Sequence, residues 1–511
     1  MSQKIRRRRE RRTARTSDTL QQIPWMQVEN PYKPFDILTA EQIDKICDTA
    51  YDILEQVGID ILQEEARAVF ARSGAIVDGN RVRIGRDVIK AALSTAPKNL
   101  MLHARNPLHN LDLSPGKISF GSVASAPNVS DIEGGRRVGN QKDYRAFLKL
   151  CQSLNVIHFI AGYPVEPVDL PPRTRHLNCI ADMAILTDKV YHAYSLGKER
   201  ITDALTITRI AHGCETWEEF DSKIRLFTII NTSSPLRLDG IMIDGAFEMA
   251  RHNQLCIITP FTLAGAMAPV TIAGALAQQH AEAIAGIALL QLFNPGCPVA
   301  YGGFTSNVDM KSGSPAFGTP ENAQASLIGA QLARRIDIPY RSSNANASNC
   351  VDAQAIYESQ MSIWSAITGQ ANMIMHGAGW LEGGLCASFE KLIIDAEMLQ
   401  MMVKFLTPPK ITDADLGLSA IADVGPGGHY FGTQHTLDRY ATAFHAPMVS
   451  DWRNFESWEE AGSKTATERA NTLYKKILEE YQQPELDPAR KEEIDAFVAQ
   501  RISEGGVEGD L

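Results

Sequence analysis

Little in this chain points to crosslinks or metal sites. Eight cysteines are scattered over 511 residues, at 47, 151, 179, 214, 256, 297, 350 and 386, and no two form a C-x-x-C pair. That excludes a zinc ribbon or a disulfide framework and fits reduced thiols in a cytoplasmic enzyme. No run approaches the roughly 18 uninterrupted apolar residues that a membrane helix needs, so no membrane association is expected. The basic N-terminus lacks the apolar core of a secretory signal. A nucleophile elbow, an H-E-x-x-H zinc helix and a D-x-D-x-[DN]-G calcium loop are all missing. His212 and Cys214 have part of the spacing of a zinc-thiolate site, but no second cysteine pair accompanies them. No protein-bound metal is expected.

Composition is that of a soluble globular protein, with 44% hydrophobic and 22% charged residues. The length exceeds a usual single core, so one large domain with additions, or two domains, is expected. Net charge is −10, although the first fifteen residues carry eight basic side chains. Residues 1–35, which include "KIRRRRERRTAR", read as a disordered basic tail. No nucleic-acid module follows and the body is acidic, so no nucleic-acid partner is expected.

After the tail, Thr39 and Gln42 have the spacing of a capping box, and Ile43, Ile46, Ala50, Ile53 and Val57 recur at helical spacing. Residues 36–114 form a mostly helical N-terminal cap in this reading. From residue 115 the pattern becomes strand, loop, helix. Eight apolar strand candidates follow one another: "KISFGS", "VIHFIAGY", "KVYHAYS", "LFTIINT", "LCIITPF", "CPVAYGG", "IPYRSSN" and "NMIMHG". Helical stretches such as Gln141–Leu154, Ile272–Leu292 and Phe389–Phe405 separate them. Apolar strands alternating with helices imply a parallel sheet covered on its faces. Eight units predict an α/β (β/α)₈ TIM barrel over residues 115–410. A doubly wound sheet is the alternative, but the G-x-G-x-x-G that usually follows its first strands is absent. Residues 411–511 form a C-terminal helical extension, suited to dimerisation or docking.

A barrel places its chemistry in the loops after the strands. The last four such loops are rich in Gly, Ala, Ser and Asn, and hold Tyr301, Phe304, Asn307, Arg341, Asn344, Asn346, Ser348, Asn349, His376, Trp380 and Glu382. The final loop belongs to "NMIMHGAGWLEGGL", where an apolar strand gives way to one His, one Trp and one Glu among four glycines. Small residues there let a ligand approach the backbone closely, and aromatic faces can cage a cation.

Four segments, "SVASAPNVSDIEGGRRVGNQKDYRAFLKLCQSLNVIHFI", "DAQAIYES", "HGAGWLEGGLCASFEKLIIDAEML" and "GPGGHYFGTQHT", together resemble the trimethylamine methyltransferase family. That resemblance implies a barrel enzyme that moves a methyl group from a methylamine to cob(I)alamin, giving methylcobalamin, on a separate corrinoid protein. The founding enzymes carry pyrrolysine in the loop after strand 7, whereas "RSSNANASNCVDAQ" holds standard residues only. Members without pyrrolysine resemble demethylases of quaternary amines, glycine betaine above all. Others act on proline betaine or carnitine-like substrates.

A quaternary ammonium releases a neutral tertiary amine, already a competent leaving group, so no general acid and no catalytic side chain is assigned. The protein binds, orients and dehydrates. Arg341, Asn346, Asn349 and His376 are the candidate partners of a substrate carboxylate. Tyr301, Phe304, Tyr357 and Trp380 are candidates for the methylammonium, and His376 and Glu382 for positioning. Asp352 is the expected N-cap of the helix that carries Tyr357. The chain itself has no D-x-H-x-x-G cobalamin-ligating motif, so the corrinoid is expected at the barrel mouth on its own carrier. A homo-oligomer is also expected.

Overall fold

Eight short apolar strands, seven of them inside the expected stretches and the last running one residue past its own, make one parallel sheet. They are β1 (Lys117–Ser122), β2 (Phe159–Ile160), β3 (Val190–Tyr191), β4 (Phe227–Thr232), β5 (Leu255–Pro260), β6 (Val299–Gly302), β7 (Tyr340–Ser343) and β8 (Met373–Ala378). The computed structural model describes residues 20–508, so the arginine-rich stretch expected as a tail lies outside the described residues. Strand order along the sheet is β3-β2-β1-β8-β7-β6-β5-β4, and every neighbouring pair is parallel. The sheet curls until its edges touch, where His192 just after β3 pairs in parallel with Phe227 of β4. This is a mixed α/β, TIM-barrel-like fold.

Three cap helices come first: α1 (Ala40–Asp52), α2 (Glu64–Arg72) and α3 (Arg86–Leu93). The capping box expected at α1 forms, with Thr39 and Gln42 bonded reciprocally. One helix then follows each strand of the sheet: α4 (Gln141–Ser153), α5 (Pro172–Leu186), α6 (Lys198–Ala211), α7 (Gly240–Arg251), α8 (Ile272–Phe293), α9 (Pro320–Arg335), α10 (Ala353–Thr368) and α11 (Phe389–Phe405). Helix α8 is apolar all round because the cap helices cover its outer side, so it is buried from Ala275 to Gln291. Residues 20–35, grouped with the tail on sequence, pack on the body instead. Val28–Glu29 pairs antiparallel with β1, and the Asn30 side chain donates to the Ile367 carbonyl at 2.9 Å. No described helix is long and apolar enough to cross a membrane.

Period-2 alternation sorts the strand residues into two layers. Phe120, Ile160, Tyr191, Cys256, Ile258, Val299 and Ile374 face the helices. Phe159, Val190, Phe227, Leu255, Ile257, Ala300, Met373 and Met375 fill the interior. A hairpin, Met101–Leu102 with Leu111–Asp112, closes the end where the strands begin, and its Leu102 and Leu111 join that interior cluster. The other end stays open and carries two small sheets. One joins Asn128–Asp131 and Gly135–Val138, after β1, to Trp380–Leu381 and Cys386–Ser388, after β8. The second joins Leu263–Ala264, after β5, to Ser306–Val308 and Pro315–Ala316, after β6. C-terminal helices α12 (Ala466–Glu480) and α13 (Pro488–Ser503) return to the body. On α12, Tyr474 stacks on Phe389 at 5.0 Å, and α13 lies on α5 and α6.

Interior packing imposes one glycine. A Cβ on Gly121 of β1 would lie 2.3 Å from the Phe159 ring. Gly121→Ala is expected to cost about 1–3 kcal/mol by overpacking. Adding Phe159→Leu should return part of that loss in urea unfolding. Unchanged stability of the single variant would contradict this packing.

Candidate active site

At the open end, the inward side chains of all eight strand-loop units surround a cavity of about 280 Å³. Its wall includes Ala124 after β1, Ala161 after β2, His192 and Tyr194 after β3, and Ile229 and Asn231 of β4. Thr259 and Phe261 come from the end of β5, Phe304 from after β6, Arg341 from β7, and Met375, His376 and Trp380 from β8 and its loop. The interior alternation simply continues upward: 227, 229, 231 on β4 and 255, 257, 259, 261 on β5 point the same way. A larger groove of about 560 Å³ between the cap and Arg335–Asp337 lies away from the strand ends, and Arg335 in it is paired with Asp44.

His376 reaches the cavity by breaking the alternation. The ladder between β8 and β1 shifts register between Ile374 and Ala378, and His376 has a left-handed φ of 57°. A bulge of this kind re-aims a side chain, here directly after the inward Met375, at a strain of roughly 1–2 kcal/mol. Gly377 permits it, since a Cβ there would lie 2.8 Å from the Gly121 carbonyl oxygen.

Arg341 dominates the electrostatics. The residue is 3% exposed, and its guanidinium lies 5.4 Å from the Phe304 ring centre and makes one long bond of 3.4 Å to the Gly303 carbonyl. Its Nε is buried with no partner, and among the described residues no carboxylate acts on its charge. Burial pushes its pKa down to about 9, which leaves it cationic at neutral pH.

Around it lie further unmatched groups. His192 Nε2 accepts the Ile229 N–H at 3.1 Å, so the proton sits on Nδ1, which is buried and unpartnered. Trp380 Nε1 and His376 Nδ1 are buried and unpartnered too. Burial, helped by Arg341, lowers the His192 pKa to about 3 and holds His376 well below the usual histidine range. Both rings are therefore neutral. The opposite character comes from aromatic faces: Phe261 stacks on Phe304 at 5.3 Å, and Trp380 lies 3.9 Å from His376 and 6.3 Å from Phe304, centre to centre.

Four of the residues singled out on sequence meet here: Phe304, Arg341, His376 and Trp380. The others do not line this cavity. Tyr301 faces the helix layer, where its hydroxyl meets Gln279 at 3.2 Å and His280 at 3.3 Å. Asn346 is fully buried behind the wall, while Asn349 and Tyr357 are exposed. Glu382 makes a two-oxygen pair with Arg136 at 2.9 and 3.0 Å. Asp352 caps α10 as expected, accepting the Ala355 N–H. Sequence analysis did not single out His192, Tyr194, Asn231, Thr259 or Phe261: the first four lie outside the last four strand-end loops, and Phe261, in the loop after β5, carries no polar group that marks it.

Trp380 is held from behind by a closed ring of bonds. Asp395 accepts the Gly379 N–H at 2.9 Å, and Asn346 Nδ2 donates to the Trp380 carbonyl at 2.7 Å and to Ser359 Oγ at 3.3 Å. Lys391 Nζ closes the ring, bonding Ser359 Oγ at 2.8 Å and Asp395 at 2.5 Å. Lys391 and Asp395 are completely buried. Lys391→Met leaves Asp395 as a lone buried charge and should cost about 3–5 kcal/mol. The pair Lys391→Met with Asp395→Asn keeps an acceptor for Gly379 and should recover much of it. Equal instability of the single and double variants in thermal unfolding would refute the clamp.

Among the described residues, no group of three or more His, Cys, Asp or Glu side chains is placed to hold a metal ion. The profile of the family described as trimethylamine methyltransferase matches residues 4–506. A glycine betaine methyltransferase of Desulfitobacterium hafniense (strain Y51) is 36% identical over 475 residues, spanning 93% of this chain and 98% of that protein. Trimethylamine methyltransferase MttB of Desulfitobacterium hafniense (strain DSM 10664 / DCB-2) is 26% identical over 476 residues, 92% of this chain and 95% of its own. MttB2 of Methanosarcina mazei is 27% identical over 476 residues, covering 90% and 94%.

Proposed function

This chain belongs to the trimethylamine methyltransferase family, and from that premise we propose that it demethylates a quaternary amine bearing a carboxylate, glycine betaine first, and passes the methyl to a separate corrinoid protein. The observation that carries this reading is Arg341, a buried cation with no carboxylate partner in a cavity lined by aromatic faces. A substrate that is only cationic would meet Arg341 as a like charge. A betaine brings its own anion, and Arg341, the His192 Nδ1–H and the Trp380 indole N–H are donors suited to it. The trimethylammonium end then faces Phe261, Phe304 and Trp380.

In this reading the C–N bond breaks with its electron pair left on nitrogen, and the methyl group moves to the acceptor. Cob(I)alamin, treated as a substrate brought by the partner, supplies the nucleophile. The chain's own residues bind, orient and exclude water. None of the lining side chains has to donate a proton, since the departing tertiary amine is neutral, and His192 and His376 are neutral. The rim suits a bulky acceptor: Ser125 and Leu385 are exposed, and Gly383 and Gly384 carry no side chain. A Cβ on Gly384 would lie 2.6 Å from the Trp380 ring, so that position is fixed by the indole.

Methylation of free cob(I)alamin, followed by its spectrum, tests the substrate class. Glycine betaine, proline betaine or carnitine should react, and choline and trimethylamine should not. Reaction with trimethylamine alone would overturn the reading, and betaine binding without methyl transfer would make the chain a binding protein. Arg341→Met should weaken betaine binding by about 2–5 kcal/mol while the fold persists. Because burial keeps both histidines neutral, betaine affinity measured by calorimetry should stay flat over about pH 5.5–8. An inflection near 6.5 would show a histidine charging in the site.

A further inference from the structure

Residues 407–448 leave the body between two anchored points and bury almost nothing on their own chain. Leu406 is buried at the start, and at the end Met448 donates its N–H to Glu397 at 2.7 Å, next to the buried Val449. Between them only Gly417 and Ala420 are buried. The helices of the excursion, Asp413–Leu416, Leu418–Val424 and Gln434–Arg439, are no longer than 7 residues. Isolated helices that short are unstable in water, so their order has to come from packing. The segment nevertheless carries apolar side chains outward. From Ile411 to Phe444 nine large hydrophobics are exposed, including Leu418, Tyr440, Phe431 at 84% and Phe444 at 83%. One of the segments that carried the family resemblance, residues 425–436, lies within it and lines no part of the pocket.

We propose that residues 407–448 are a pairing arm that lies on a second copy of this chain. At roughly 150 Å² for each fully exposed large side chain, the nine partly exposed ones of the arm offer on the order of 1,000 Å² of apolar surface. That exceeds the about 800 Å² per partner of a stable interface, and twofold pairing presents it twice. Permanence argues for a second copy over a methyl carrier. A carrier has to leave after each transfer, and transient contacts are smaller and more polar. An apolar surface of this size belongs to an interface that does not open. Pairing of this kind is independent of which amine the pocket holds.

Sedimentation equilibrium of the full chain at micromolar concentration tests the arm, with Phe431→Glu and Phe444→Glu combined as the variant. The wild type should be a dimer or a higher assembly built of dimers. In the variant the dissociation constant should rise by at least about 100-fold, the loss expected from two anchoring aromatics. Its circular dichroism and betaine binding should be unchanged. As a control that leaves the arm's core alone, Leu418→Glu should weaken the pairing in the same direction. A monomeric wild type overturns the proposal, and so does an assembly untouched by these substitutions. Intact pairing combined with lost association to a B12-binding protein also overturns it, and would give the arm to the carrier.

Discussion

A guanidinium that is buried without a counter-charge sets the terms for the whole open end of this barrel. Removing an ion from water costs several kcal/mol even after the protein relaxes. Arg341 recovers little of that from one 3.4 Å bond and the face of Phe304. The remaining cost is borne by the fold, and a ligand that supplies the missing anion recovers it. Cavity, charge and aromatic lining are what the proposed betaine, negative at one end and cationic at the other, would meet.

Keeping such a site in place requires rigid surroundings. The strand ends provide most of this, because the interior packing of Phe159, Phe227 and Ile257 continues directly into the residues above them. The loop after β8 has no such continuity. It contains three successive residues of positive φ, Glu382, Gly383 and Gly384. Its order comes from the Lys391–Asp395–Gly379 and Asn346–Trp380 bonds beneath and from the Glu382–Arg136 pair above. A buried ion pair contributes little net stability, but it fixes geometry because each partner has one satisfactory place. Loops after β7 and β8 are locked to each other directly, where Asn346 Nδ2 donates to the Trp380 carbonyl and the Gly383 N–H donates to the Asn346 carbonyl.

Most of the fold was legible because period and composition agreed. "KISFGS" coincides with β1, and Phe389–Phe405 with α11, since apolar strands bounded by glycine and capped helices are local signals. The site was less legible, for identifiable reasons. His192 and Asn231 lie inside the strand stretches "KVYHAYS" and "LFTIINT" and not in the loops that follow them. Counting by twos from the interior Val190 and Phe227 selects them. Tyr301 fails the same count, standing one residue after the inward Ala300, and turns to the helices. Counting by twos would also have excluded His376, whose place depends on a bulge that no local propensity announces. Asn346 is expected at the substrate carboxylate and Glu382 in positioning; in the structure Asn346 bonds the Trp380 carbonyl and Glu382 pairs with Arg136. Residues 20–35 lack periodicity altogether. They are held by single long-range bonds such as Ile23 to Gln400, which sequence patterns do not encode.

Neutral histidines beside a permanent cation divide the labour in the cavity. An imidazole that could charge near neutrality would add a second positive group beside Arg341 and repel the ammonium. Burial prevents this: His192 is held at about 3, and its Nε2 is occupied by the Ile229 N–H, which leaves one fixed donor facing outward. The same burial that makes Arg341 costly thus makes its neighbours inert to protons. A reaction that needed an acid would be badly served by this arrangement. Transfer from a nitrogen that already carries four carbons needs none, and in the proposed betaine the only charge left for Arg341 to match is the carboxylate.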